Sequence, residues 1–158
     1  MLVQQNDGEA GFFFQKWEDY NDGFGEKSGN YWIGNHRLHR LTKYGRYQLK
    51  VELKGDGEEW LHAWYRDFRV GTERSNYKLR VSGFYGASDG VQDALSKLNG
   101  MLFSTFDRDN DNIEDENAAE SCGGGFWYAQ KFECSLNAAD MSWAGMSVKK
   151  SRMTLECV

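Results

Sequence analysis

The stretch from residue 107 to residue 117 is the densest group of potentially reactive side chains in this sequence. It reads Asp-Arg-Asp-Asn-Asp-Asn-Ile-Glu-Asp-Glu-Asn, with carboxylates at alternate positions from Asp107 to Asp111. Calcium binds oxygens from carboxylates, carbonyls and water, and alternating acids on a curled loop can supply several of them. An EF-hand loop starting at Asp107 would need Gly and Glu where this chain has Asn112 and Ala118. The segment therefore predicts either a calcium loop of another type or an acidic exposed turn.

Motifs typical of catalysis are absent from the sequence. It contains no G-x-S-x-G, no H-E-x-x-H, no phosphate-binding loop and no dinucleotide-binding glycine pattern. His36 and His39 are interpreted as surface residues of a short helix, and His62 as a hydrogen-bonded core residue of an aromatic strand. We therefore expect a protein that is not an enzyme.

Aromatic residues and cysteines are the other candidates for a site. The triplet Phe126-Trp127-Tyr128 is interpreted either as core or as the wall of a ligand pocket. The spacing of Cys122 and Cys134 would allow a small closed loop, and Cys157 makes the count odd, so one thiol is expected to be free or paired with another chain. Four further tryptophans are predicted to be core residues: Trp17, Trp32, Trp60 and Trp64.

Length and composition limit the elements that can position these residues. A chain of 158 residues fits one domain, and we treat residues 1–158 as a single domain. The formal net charge of −5 argues against a nucleic-acid partner, because such binding needs a basic face. No apolar run of about 18 residues occurs, so the sequence predicts no membrane span.

Hydrophobic periodicity places three strands in the first half of the chain. Residues 46–53, 59–70 and 76–85 alternate between apolar and polar side chains, which predicts an antiparallel meander. Helical spacing predicts short helices within 14–25, 35–43 and 91–98. Beyond Met101 periodicity is almost lost, which indicates a second half built mainly from loops.

Several motifs, in this order, resemble the fibrinogen C-terminal domain family. They are Trp17–Gly25, Gly29–Asn35 with Leu41-Thr42, the alternating segments around Tyr47–Leu53, Ala63–Val70 and Tyr77–Gly83, and Asn99–Asp111. The resemblance covers about residues 2–137 and, more loosely, 143–155. It implies an α+β fold with a twisted antiparallel central sheet, short flanking helices and a loop-rich calcium-binding subdomain.

The resemblance also implies ligands and a location. In the family, calcium is held by two carboxylates and two carbonyls, which fall here on Asp109, Asp111, Ile113 and Asp115. The implied function is that of a secreted calcium-binding lectin for acetylated sugars. The alternative is a protein-interaction module of a matrix or receptor-ligand protein. Relatives oligomerise through N-terminal collagen-like or coiled-coil stretches, which this sequence does not contain.

Departures from the family pattern concentrate around the ligand pocket. The family cysteine after the calcium loop is missing, and Cys122 is expected to replace it as the disulfide partner of Cys134. A family loop of pocket aromatics is also missing after residue 138. The implied pocket residues are Trp127, Tyr128, Cys134, Ser135 and Asn137. Since the family domain starts about forty residues earlier and the chain as written has no signal peptide, we expect either a fragment of a secreted lectin or a diverged member.

Overall fold

Strands with alternating inward and outward side chains form the centre of the protein. The computed structural model describes residues 1–130 and 132–158. Its strands are β1 (Leu2–Asn6), β2 (Phe24–Gly25), β3 (Tyr31–Trp32), β4 (Tyr47–Lys54), β5 (Trp60–Val70), β6 (Leu79–Tyr85), β7 (Phe103–Ser104), β8 (Phe126–Trp127), β9 (Met141–Trp143), β10 (Met146–Val148) and β11 (Lys150–Cys157). Its α-helices are α1 (Trp17–Asp22), α2 (Asn35–Tyr44) and α3 (Ala118–Cys122).

Seven strands form one antiparallel sheet in the order β2-β3-β1-β11-β4-β5-β6. The predicted meander is confirmed as β4, β5 and β6, and the last strand of the chain inserts between β1 and β4. Leu155 of β11 lies opposite Leu49 of β4, and both side chains are buried. The sheet therefore depends on pairing between the first and last strands, which are far apart in the chain.

Local backbone chemistry explains where predicted and observed elements differ. The third meander strand begins at Leu79 rather than at residue 76, because Asn76 and Tyr77 have φ values of 58° and 53°, which a strand does not allow. The helix predicted within 91–98 is wrong, and a 3₁₀ turn at Ser96–Leu98 takes its place. There the Asp93 carboxylate accepts hydrogen bonds from the backbone N–H groups of Leu95 and Ser96, an arrangement that competes with a regular helix.

The tryptophans separate into two groups. Trp17 and Trp32 are buried as predicted. The prediction that Trp60 and Trp64 are core residues is wrong, because both are only partly buried on the outer face of β5. Side chains on a strand alternate between faces, and Ala63 holds the neighbouring inward position. The outer face of the sheet thus carries large aromatic rings.

The loop-built half is joined to the sheet by aromatic packing. Phe103 of β7 pairs with Trp127 of β8, and their ring centroids lie 5.0 Å apart. The ring of Trp32 in β3 lies 5.9 Å from Phe103 and 6.2 Å from Trp127. Buried aromatic contacts of this kind contribute to stability through their large apolar area and edge-to-face geometry.

Among the described residues, no helix is long and apolar enough to cross a membrane.

Candidate ligand-binding and metal site

Asp107 is a structural anchor at the start of the acidic loop. Its Oδ1 accepts hydrogen bonds from the backbone N–H of Trp17, at 3.0 Å, and from the hydroxyl of Thr105, at 2.6 Å. Trp17 is the first residue of α1. This carboxylate therefore ties the acidic loop to α1, and one of its oxygens is already occupied by protein donors.

Asp109 and Asp111 lie close together in the same loop. The Oδ1 of Asp109 accepts from the N–H of Asp111 at 3.2 Å, and the Oδ1 of Asp111 accepts from the N–H of Ile113 at 3.0 Å. Burial, followed by the neighbouring Asp111 carboxylate, raises the pKa of Asp109. The raised pKa means that the ionised pair is unfavourable as it stands.

The cation beside this pair faces away from it. The Arg108 guanidinium lies 4.2 Å from the centroid of the Trp17 ring and donates to the side-chain oxygen of Asn76. Asp115 follows in a left-handed turn with φ of 62°.

In the part of the chain that the structure describes, no three His, Cys, Asp or Glu side chains converge as a metal site. A cation here would need the two carboxylates together with backbone carbonyls, and oxygen donors of that kind suit a hard cation such as calcium.

Helix α3 connects the acidic loop to the disulfide. The N–H of Ala118, its first residue, donates to Oδ2 of Asp111 at 3.1 Å. Its last residue, Cys122, is bonded to Cys134, with their Cα atoms 5.3 Å apart. The structure thus contains the disulfide that the resemblance implies, and the thiol of Cys157 is exposed and free.

The three glycines after Cys122 serve close packing rather than phosphate binding. Gly123 ends α3 with φ of 77°. A Cβ on Gly124 would collide with the carbonyl of Asn137, and one on Gly125 would lie 2.8 Å from the ring of Tyr20. Both approaches exclude any side chain larger than hydrogen without a local shift. The motif therefore brings the loop-built half against α1 and the segment after the disulfide.

A cavity of about 110 Å³ lies beside the disulfide. Four predicted pocket residues line it, namely Trp127, Tyr128, Cys134 and Ser135. The indole N–H of Trp127 donates to the carbonyl of Tyr77, and the hydroxyl of Tyr128 donates to the carbonyl of Gly124. Burial raises the pKa of Tyr128, so the ring stays neutral. These two walls thus face the cavity mainly with carbon atoms.

Asn137 lies outside the cavity lining, unlike the other predicted pocket residues. It is fully buried, its Nδ2 donates to the carbonyl of Gly125 at 2.8 Å, and its Oδ1 accepts from Nε2 of Gln4 at 3.0 Å. The same Gln4 amide donates to the carbonyl of Leu136, and its oxygen accepts from the hydroxyl of Ser151. Asn137 therefore joins the loop-built half to the sheet.

Two residues of this region escaped the sequence reasoning. Trp143 lines the cavity, and its indole N–H donates to the carbonyl of Gln92 at 2.8 Å. The carboxylate of Glu133 accepts from the N–H groups of Ala144 and Gly145 in the turn between β9 and β10. The residues between Met141 and Val148 alternate around a small two-residue turn, a hairpin signal that would have predicted this element.

Comparison with known proteins gives one consistent result. The family model described as fibrinogen beta and gamma chains, C-terminal globular domain, matches residues 1–153. Tenascin-R of Gallus gallus is 42% identical over 125 residues, which is 79% of this chain but 9% of that protein. The fibrinogen-like globe domain of human ANGPTL6 superimposes with a TM-score of 0.88 and 30% identity, covering 99% of this chain and 77% of that one.

A third relative was solved with a ligand. It is a lamprey fibrin D-dimer complexed with the peptide Gly-His-Arg-Pro-amide, with a TM-score of 0.80 and 26% identity. The match covers 98% of this chain and 60% of that one.

Proposed function

Because the chain belongs to the fibrinogen beta and gamma C-terminal globular domain family, we propose that it is a non-catalytic extracellular module that binds a protein ligand at its loop-built half. Its homologues include extracellular matrix and receptor-ligand proteins. The chain spans about a tenth of the length of its tenascin relatives.

The observation that carries the proposal is the chemistry of the cavity wall. The polar atoms of Trp127 and Tyr128 are bonded within the protein, and Ser135 Oγ accepts from the N–H of Asn137. A wall of this kind favours an apolar group, because a polar group buried without partners costs free energy. We therefore propose that a single apolar side chain of a protein ligand occupies the cavity.

The acetylated sugar implied by the resemblance is the competing ligand. A sugar hydroxyl needs hydrogen-bond partners when it is buried, and the polar atoms of Trp127, Tyr128 and Ser135 in this wall are already bonded within the protein. The tenascin and ANGPTL relatives and the peptide complex of the lamprey relative support a protein ligand better. Binding of an N-acetylated sugar is therefore one of the results that the glycan array can give.

Calcium is proposed as the cofactor, held by the carboxylates of Asp109 and Asp111 and the carbonyls of Ile113 and Asp115. The pair of carboxylates supports this, because burial and the neighbouring Asp111 carboxylate raise the pKa of Asp109, and a cation would favour the ionised form of both groups. When bound, the ion would order the loop that leads through α3 to the disulfide and so to the cavity wall. Secretion is likewise proposed, since disulfides persist in oxidising compartments.

Panning a random peptide phage library against the purified domain, alongside an array of N-acetylated glycans, tests the proposal. We expect enriched peptides with a shared apolar anchor. Their binding should be lost in Ala94→Phe, which fills the cavity from its lining, and retained in Ala10→Phe, which adds the same ring at an exposed site. Binding of N-acetylated glycans without peptide enrichment would instead support the lectin.

A further inference from the structure

The outer face of the central sheet has a charge opposite to that of the whole protein. Outward positions of β4, β5 and β11 carry three carboxylates, Glu52, Asp67 and Glu156, and six cations. The cations, which define the cationic sheet face, are Lys50, Lys54, Arg66, Arg69, Lys150 and Arg152. Six cations and three carboxylates give this face a net charge of +3, in a chain whose net charge is −5. Such segregation attracts anionic partners.

The strand register places two of these cations against each other. Lys54 of β4 is paired directly with Lys150 of β11. Like charges directly opposite on neighbouring strands destabilise a sheet. Among the ion pairs of the described residues, only one involves a carboxylate of this face, Glu52, at 4.0 Å from Arg152. The face therefore keeps a repulsive pair that an anionic ligand would relieve.

Aromatic rings hold several of the cations in place. The Arg152 guanidinium lies 4.5 Å from the ring centroid of Trp60, and the Lys50 ammonium lies 5.3 Å from that of Trp64. Arg66 lies 4.0 Å from the ring centroid of Tyr85 in β6. Cation–π contacts restrict long side chains at exposed sites, so less side-chain entropy is lost when a ligand binds.

The backbone of this face is already fully engaged in the sheet. Strand β11 lies between β1 and β4, β4 between β11 and β5, and β5 between β4 and β6. A peptide cannot add as a further strand here, since strand addition requires a free sheet edge. A ligand meets side chains rather than free backbone groups, and most of the charged ones are cations that lie beside aromatic rings, which suits a repeating anion with ring faces better than a peptide backbone.

We propose that the cationic sheet face binds a sulfated polysaccharide. Sulfate groups would lie against the lysine and arginine side chains, and sugar rings would contact the exposed parts of Trp60 and Trp64 that these cations leave uncovered. This site is separate from the cavity and the acidic loop. If heparin does not bind this face, the proposed function is unaffected. If the proposed function is wrong, the prediction for this face is likewise unaffected.

Heparin oligosaccharide is the probe, titrated against the purified domain at several salt concentrations. In Lys50→Glu/Lys54→Glu we expect affinity to fall by about tenfold or more, and in the wild type we expect affinity to fall steeply with salt. The matched control is Arg37→Glu/Lys43→Glu on α2, which makes the same charge change and also removes a cation over a ring, Lys43 over Tyr44. The control should keep nearly wild-type affinity.

Three results would overturn the proposal. Equal losses in both double variants would mean that net charge, not this face, binds heparin. Poly-glutamate bound as tightly as heparin would assign the face to an acidic peptide. Salt-independent binding would exclude an electrostatic site. Should the glutamate variant fail to fold, Lys50→Gln/Lys54→Gln replaces it, with a smaller loss of the same sign expected.

Discussion

Asp111 accepts a hydrogen bond from the backbone N–H of Ala118 through Oδ2, at 3.1 Å. Its other oxygen, Oδ1, accepts from Ile113. One carboxylate thus organises both the turn of the acidic loop and the first residue of α3. Because α3 ends at the disulfide, a change at Asp111 should be transmitted to the cavity wall.

Calcium should raise the melting temperature of the wild-type protein. At a free concentration one hundred times the dissociation constant, the gain in free energy of unfolding would be about 2.7 kcal/mol. Asp109→Ala should abolish the calcium-dependent shift, because the variant loses a proposed ligand. Thermal denaturation with and without calcium checks this. Calorimetry that shows no calcium heat at millimolar ion would exclude the site.

Asp107→Ala should have a different effect, which separates an anchor from a ligand. It removes the acceptor of the Trp17 N–H and the Thr105 hydroxyl. The melting temperature should therefore fall both with and without calcium, by the equivalent of about 1–3 kcal/mol. The shift caused by calcium should remain, although weakened. A wild-type melting temperature without the ion would contradict this role.

The raised pKa of Asp109 predicts opposite pH effects in the two states of the loop. In the ion-free protein, a folded-state pKa above the unfolded value contributes stability that is present below the unfolded pKa and lost as pH rises through the folded pKa. Calcium affinity should show the reverse, falling as pH decreases, because the ion competes with the proton. Denaturant unfolding from pH 3 to 7 should show that Asp109→Asn removes this contribution. An identical pH profile in the variant would refute it.

Asn137→Ala should be destabilising by about 2 kcal/mol or more. The change removes the side-chain donor to the carbonyl of Gly125 and one of the acceptors of the Gln4 amide, and unsatisfied buried groups are costly. Chemical denaturation measures the loss. Unchanged stability together with lost ligand binding would mean instead that Asn137 acts as a pocket residue.

Reduction of the Cys122–Cys134 bond should lower the free energy of unfolding by roughly 3 kcal/mol, the amount expected for a short closed loop. The double variant Cys122→Ser/Cys134→Ser should reproduce that loss, whereas Cys157→Ser should leave stability unchanged because its thiol is exposed and free. Peptide mapping under non-reducing conditions checks the pairing. A peptide that links Cys157 to either of the other cysteines would contradict the assignment.

Lys54→Glu should stabilise the sheet while it weakens heparin binding. The substituted carboxylate would lie opposite Lys150, and such a cross-strand pair contributes roughly 0.2–1 kcal/mol. A variant that becomes more stable but loses heparin affinity separates binding from folding. Lower stability in this variant would show that the Lys54–Lys150 repulsion is negligible.

Much of the sheet could be predicted from the sequence because its signal is local. The alternation in residues 46–53 reports which side chains are buried, whatever strand lies alongside. The same local reasoning could not assign Trp60 and Trp64, since alternation identifies two faces but not which one is covered. Nor could it foresee that the Asp93 side chain would cap backbone N–H groups and replace a helix.

The sequence by itself identified the family and predicted the meander and the acidic loop. It also distinguished Cys122 and Cys134, which could close a small loop, from the third cysteine, Cys157. These follow from residue type and spacing along the chain. Tertiary structure alone decided the insertion of β11 between β1 and β4, the burial of Asn137 and the cationic sheet face. Each of these depends on which distant segments meet, and pairing between residues over a hundred positions apart leaves no local periodicity to read.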